Sequence, residues 1–120
     1  MTDPGPAGTP EPLHVETVDL LRVEVYGDRQ AMGRAAARRS AEVIRNALAG
    51  SEGARVMFAS APSQNELLEG LTRSGLEWAR VEAFHMDEYL GVDRESPQAF
   101  SRYLQDHLFR VVRAGRFNAL

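Results

Sequence analysis

The sequence predicts an α/β fold, three-layered around a mostly parallel, Rossmann-like sheet that is incomplete at its C-terminus. Two observations carry this. Short apolar runs at residues 21–26, 56–59 and 81–86 alternate with stretches of helical periodicity at 29–49, 64–73 and from 97 onward. That β-α-β-α-β-α order calls for parallel strands joined by right-handed crossovers. Residues 117–120 then read as the opening of a further strand, with nothing after it to finish it, so a piece of a longer gene product is expected.

The first strand, Leu21-Arg22-Val23-Glu24-Val25-Tyr26, alternates apolar and polar side chains, the mark of a strand with one face less buried. Gly27-Asp28 breaks it, and Asp28 is placed to cap the next helix by accepting a hydrogen bond from a free N–H of the first turn. Over 29–49, Met32, Ala36, Val43, Ile44, Ala47 and Leu48 recur at helical spacing and predict the inward face. Arg34, Arg38, Arg39 and Arg45 fall mostly off that face, the small residues at 33 and 35–37 allow close packing, and Gly50 is a stop. Val56-Met57-Phe58-Ala59 has no polar interruption, which predicts a strand covered on both faces. After a turn at 60–63, Leu67, Leu68 and Leu71 give a short helix an inward edge, and Gly75 ends it. The third strand is 81–86, followed by a loop over 87–95. Ser96 as cap and Pro97 at the first helical position open the last helix, with Phe100, Tyr103, Leu104, His107, Leu108 and Val111 as its stripe.

The 120 residues, 43% of them hydrophobic and without an internal repeat, suit one domain at most. There is no cysteine, which excludes disulfides and thiolate metal sites. A net charge of -3, with 14 Lys+Arg spread mainly over helices, does not suggest a nucleic-acid partner. No stretch approaches the ~20 apolar residues of a membrane span. Residues 1–12 hold four prolines and no apolar signal core, so 1–19 is expected to be a disordered tail and 20–120 the domain, in a cytoplasmic protein.

In parallel sheets ligands bind beyond the carboxyl ends of the strands. Two loops there carry unusual chemistry, 60–65 and 87–91. Asp87 and Glu88 directly follow a buried strand. Neighbouring side chains of an extended chain point apart, so one carboxylate faces a ligand and the other does not. A carboxylate in a partly desolvated cleft binds its proton more tightly, which suits a general base. The competing role is a loop carboxylate that caps a turn or pairs with an arginine. Ser63-Gln64-Asn65-Glu66 fits a capping box, in which Ser63 and Glu66 satisfy the helix's own donors. His85 reads as a sheet histidine, His107 as core or interface, and Trp78 as packing. No histidine pair has metal-ligand spacing, and neither metal nor cofactor is expected.

Phe84-His85-Met86-Asp87-Glu88-Tyr89-Leu90-Gly91 resembles the F-x-M-D-E-Y-x-G signature of the glucosamine-6-phosphate deaminase/isomerase family, relatives of the 6-phosphogluconolactonases. Residues 96–101 are similar to its following H-P-x-S-Y segment, Leu108-Phe109 to its F-F helix end, and 117–120 to its I-N-L-L strand. The likeness covers the N-terminal half of such a protein and is specific around 86–91, where lactonases have D-E-R-x-V-P instead. It implies that Asp87 is the general base that moves a proton between C2 and C1 of ring-opened glucosamine 6-phosphate. It also implies that Ser60, Ser63, Gln64, Glu88 and Tyr89 contact a phosphorylated sugar, and that the protein forms a homo-oligomer.

The sequence departs from that family in places. Its glycine-rich phosphate turn is replaced by Ser60-Ala61-Pro62-Ser63-Gln64-Asn65, in which Pro62 offers no N–H. Ser96 stands for a usual histidine and Phe100 for a usual tyrosine. The later segment with the ring-opening histidine has no match, so this chain alone is expected to be inactive. A sugar-phosphate sensor without turnover and a lactonase-like hydrolase are the alternatives.

Overall fold

The computed structural model describes residues 9–120. Two strands come first, β1 (His14–Val18) and β2 (Leu21–Val25), paired antiparallel through a two-residue turn in which Asp19 takes a left-handed conformation, φ 55°. This changes two expectations. Residues 14–18 form a strand where a tail was expected, and residues 1–8 of that tail lie outside the described residues. β2 pairs with β1 and not with the parallel sheet. The alternation of its side chains predicts a strand but carries no information on its neighbour.

Helix α1 (Arg29–Ala49) has the predicted bounds, and Asp28 caps it by accepting from the Ala31 N–H at 2.7 Å. Its buried face matches the predicted one at Ile44 and Leu48 and differs from it elsewhere. Gly33, Ala37, Ala41, Ile44 and Leu48 are buried, whereas Met32 and Val43 are exposed. The cause is the second helix, α2 (Asn65–Thr72), which crosses so closely that only small residues fit between. A methyl on Gly33 would meet the Glu66 backbone at 2.9 and 3.1 Å, and one on Gly70 would meet Ala37 Cβ at 2.5 Å.

β3 (Ala54–Phe58), β4 (Val81–His85) and β5 (Arg116–Asn118) form the three-stranded parallel sheet in that order. Register places Ala54 beside Val81, Val56 beside Ala83 and Phe58 beside His85, with Phe117 beside Ala83 on the far edge. This inward face joins α1, α2 and the last helix in one apolar core, where Leu68, Val81, Ala83, Leu104 and Leu108 are completely buried. The other face, with Arg55, Met57, Glu82 and Phe84, has no layer over it among the described residues, and Met57 is 62% exposed. The expected two-sided cover of β3 is therefore absent here, and two of the three predicted layers are described.

The last helix begins at Phe100, three residues after Pro97. It runs as α3 (Phe100–Leu104) into a wider π turn (Gln105–Phe109). The π turn inserts a residue into the helical period. Leu104 and Leu108 stay buried, but His107 and Val111 are rotated to the surface and Phe109 is half-buried instead. His107 rests against the Tyr103 ring, centroids 4.4 Å apart. Trp78 is buried in the short turn before β4, as expected of a packing residue. Among the described residues no helix is long and apolar enough to cross a membrane.

Candidate active site

The ladder between β3 and β4 extends one step past Phe58 and His85, because the Met86 N–H donates to the Phe58 carbonyl at 3.0 Å. Residues 59–60 and 86–87 therefore leave the sheet side by side at its carboxyl edge. This brings the two predicted loops together.

The two carboxylates of the 87–91 loop part company there. Glu88 turns toward α3. Its Oε1 accepts the backbone N–H of Phe100 at 2.8 Å and of Tyr89 at 3.1 Å, and its Oε2 accepts that of Ser101 at 3.1 Å. Burial pushes its carboxyl up, but these donors outweigh burial and hold it below the usual value. α3 has no cap of its own, since Ala99 offers no side-chain acceptor and the Ser96 hydroxyl bonds only Gln98. Glu88 is thus a remote cap. Asp87 is exposed, and among the described residues no hydrogen bond or ion pair engages its carboxylate. It is not paired with an arginine, but neither does it sit in the partly desolvated cleft expected of a base, because its side chain lies at the surface.

Phe100 is the point where three of the singled-out residues converge. Its N–H goes to Glu88, its carbonyl accepts the Ser60 hydroxyl at 3.3 Å, and its ring lies 4.7 Å from that of Tyr89. Ser60, Glu88 and Tyr89 are accordingly engaged with the protein itself. Gln64 is as well, donating its side-chain amide to the Ala59 carbonyl. Ser63 is exposed and makes no capping bond. The expected capping box does not form, because a single 3-10 turn (Pro62–Gln64) precedes α2 and neither Ala61 nor Gln64 caps with a side chain.

Glu66 pairs instead with Arg29, at 2.8 and 3.2 Å, and the same guanidinium donates to the Pro62 carbonyl at 3.0 Å. Arg29 holds the Glu66 carboxyl below its usual value. The Tyr103 hydroxyl closes the loop from the other side, 2.8 Å from the Ala61 carbonyl oxygen and 2.6 Å from Asn65 Oδ1. Burial pushes its phenol up. Sequence reasoning missed Arg29 and Tyr103. Each reaches the loop across more than 30 residues of chain, and no local signal reports such a crossing.

His85 is buried on the core side against Phe117, ring centroids 5.6 Å apart. The Leu120 N–H donates to its Nε2 at 2.8 Å, so the neutral ring carries its proton on Nδ1, which has no acceptor among the described residues. Arg94 reaches from the 87–95 loop to the Ala119 and Leu120 carbonyls, both at 3.3 Å, which ties that loop to the end of β5. No group of three or more His, Asp or Glu able to hold a metal occurs among the described residues.

No family model matches the chain. Among curated proteins it is 32% identical over 60 residues to a glucosamine-6-phosphate deaminase of Lactobacillus delbrueckii subsp. bulgaricus, covering 49% of this chain and 26% of that protein. With a glucosamine-6-phosphate deaminase of Streptococcus sanguinis it shares 29% over 69 residues, 57% of this chain and 28% of the relative. The chain therefore spans little more than a quarter of the length of these relatives. Among solved structures, a 6-phosphogluconolactonase from Shewanella baltica matches with a TM-score of 0.73 at 20% identity, over 79% of this chain and 41% of that one. A putative 6-phosphogluconolactonase from Neisseria gonorrhoeae gives 0.71 at 18%, over 76% and 40%. A monomeric glucosamine-6-phosphate deaminase, described as a missing link of the NagB superfamily, gives 0.66 at 18%, over 77% and 39%.

Proposed function

We propose that a full-length protein carrying this chain is an enzyme of carbohydrate metabolism that deaminates and isomerises an amino sugar phosphate; the support is a Rossmann-like fold similar to the NagB and lactonase structures and a stretch of sequence like that of the glucosamine-6-phosphate deaminases. Glucosamine 6-phosphate is the substrate, and fructose 6-phosphate and ammonia are the products. Asp87 is the base. Its carboxylate takes the C2 proton of the ring-opened sugar, leaving an enolamine, and returns the proton to C1. Water then hydrolyses the resulting ketimine and releases ammonia. One carboxylate serves both transfers because C1 and C2 are adjacent on one face of a planar intermediate. The observation that supports this is the division of labour at the strand end: Glu88 is consumed by backbone donors, and Asp87, two residues past β4, is left without a partner among the described residues. The protein works in the cytoplasm.

The test is Asp87→Asn in the full-length protein. Ammonia release from glucosamine 6-phosphate is expected to vanish while sugar-phosphate binding by calorimetry is retained. Full turnover in the variant rejects the assignment. A sensor without turnover is the second reading, favoured by one observation: the 60–65 loop is already satisfied by Gln64, Tyr103 and Arg29. Binding with no ammonia from the parent protein would select it, and hydrolysis of 6-phosphogluconolactone would select the lactonase alternative.

A further inference from the structure

We propose that Glu88 is the positioning residue of this site, the clamp that fixes where Asp87 points; the inference rests on Asp87 being the base. Among the described residues no hydrogen bond or ion pair holds the Asp87 carboxylate, so its direction is set by its neighbours in the chain. On one side, Met86 is anchored to β3 by its N–H bond to Phe58. On the other, Glu88 is anchored to the start of α3 through Phe100 and Ser101, 12 and 13 residues ahead. The bond from the Tyr89 N–H to the same carboxylate folds the loop tightly at that point, and the Tyr89 ring against Phe100 adds a second attachment. Asp87 is thus held between two fixed points, one in the sheet and one in the helix.

A carboxylate suits this task better than an amide. It offers two acceptor oxygens and no competing donor, and charge-assisted bonds to backbone N–H groups are the stronger kind. Glutamine keeps one acceptor oxygen and must turn an NH2 group toward the other backbone donor. Aspartate, one methylene shorter, falls short of α3. The same contacts also cap α3, and the experiment has to separate that structural service from the positioning of Asp87.

Two measurements do so. On the 120-residue chain, amide relaxation and hydrogen exchange are compared between the parent, Glu88→Gln and Glu88→Ala. The expected result is a fall in backbone order at residues 87–90, from about 0.85 toward 0.6 or below, with β4 and α1 unchanged. If Phe100 and Ser101 exchange faster while Asp87 stays as ordered as in the parent, Glu88 is a helix cap only and the proposal is overturned. In the full-length protein, kcat for ammonia release is expected to fall by about a hundredfold in both variants, the cost of a misplaced catalytic group, with KM changed by less than about threefold. An unchanged kcat in Glu88→Gln overturns it as well. Should Glu88→Ala not fold, Glu88→Gln carries the test. If Asp87→Asn keeps full activity, the base assignment fails on its own, and the loop-order result still reports whether Glu88 is a clamp.

Discussion

Gly33→Ala sets two effects of known size against each other. In an exposed helix interior the change would stabilise, since alanine is better than glycine by about 1 kcal/mol. At position 33 the added methyl meets the Glu66 carbonyl carbon at 2.9 Å and its Cα at 3.1 Å, with Glu66 Cβ nearer still. Carbon atoms are comfortable at about 3.5 Å or more, and backbone atoms cannot swing aside as a side-chain tip can. α1 and α2 must therefore part, which also loosens the Ala37–Gly70 contact one turn along. Such overpacking costs about 1–3 kcal/mol, and a clash against backbone belongs in the upper half of that range. Subtracting the propensity gain leaves a net loss of about 1–2 kcal/mol, or roughly 5–10 °C in Tm for a chain of this size. Urea unfolding followed by the fluorescence of buried Trp78 reads it directly. Gly50→Ala is the control, because Gly50 has φ -101° and only the Asn46 carbonyl oxygen at 3.8 Å, so its change should stay within about 0.5 kcal/mol. If Gly33→Ala unfolds at higher urea than the parent, the close crossing is wrong. The site is involved too, because the same crossing carries the Arg29–Glu66 pair that braces the 60–65 loop.

Tyr103→Phe should cost about 1 kcal/mol, the net worth of a part-buried hydrogen bond, and should speed amide exchange across residues 60–65. The phenol's folded-state pKa is raised by burial above 10.0, so its contribution is complete below pH 10 and fades as pH rises through the folded value. The stability gap between parent and variant, measured by urea unfolding from about pH 8 to 11, should therefore shrink at the alkaline end. Leu108→Ala should cost about 2–5 kcal/mol and Val111→Ala less than about 0.5 by the same unfolding assay. Similar losses at both positions would mean that the helix keeps its regular period past Leu104.

Local chemistry made much of the fold legible. Asp28 and the change of period after it set the start of α1, and both act within one turn of the chain. Gly75, with φ +72°, marks the end of the α2 segment for the same kind of reason. What depends on a distant partner was not legible. Helical spacing selected bulky Met32 and Val43 as the inward face because hydrophobic bulk is the usual signal. The crossing with α2 instead demanded the narrow stripe Gly33-Ala37-Ala41, which only the position of α2 can reveal. The strand at 14–18, His-Val-Glu-Thr-Val, lacks the clean alternation of β2, and the prolines before it suggested a tail. The π turn has no local signature here, so the stripe past Leu104 was carried forward on the wrong period.

The candidate site has a different kind of illegibility. Where a parallel ladder ends, backbone donors and acceptors lose their strand partners, and so do those at the first turn of the next helix. Polar side chains gathered there serve one of two ends: they satisfy that backbone, or they face the opening and meet a ligand. Both uses select the same residue types, so Ser60, Gln64 and Glu88 looked like ligand contacts as much as Asp87 and Ser63 did. Coordinates separate them by a count of partners. Glu88 accepts three backbone N–H groups, Gln64 and Ser60 each donate to a carbonyl, and Asp87 is left with its acceptors free. Under the proposed mechanism the two adjacent carboxylates serve for opposite reasons, Asp87 because no hydrogen bond among the described residues holds its oxygens and Glu88 because backbone donors hold both of its own.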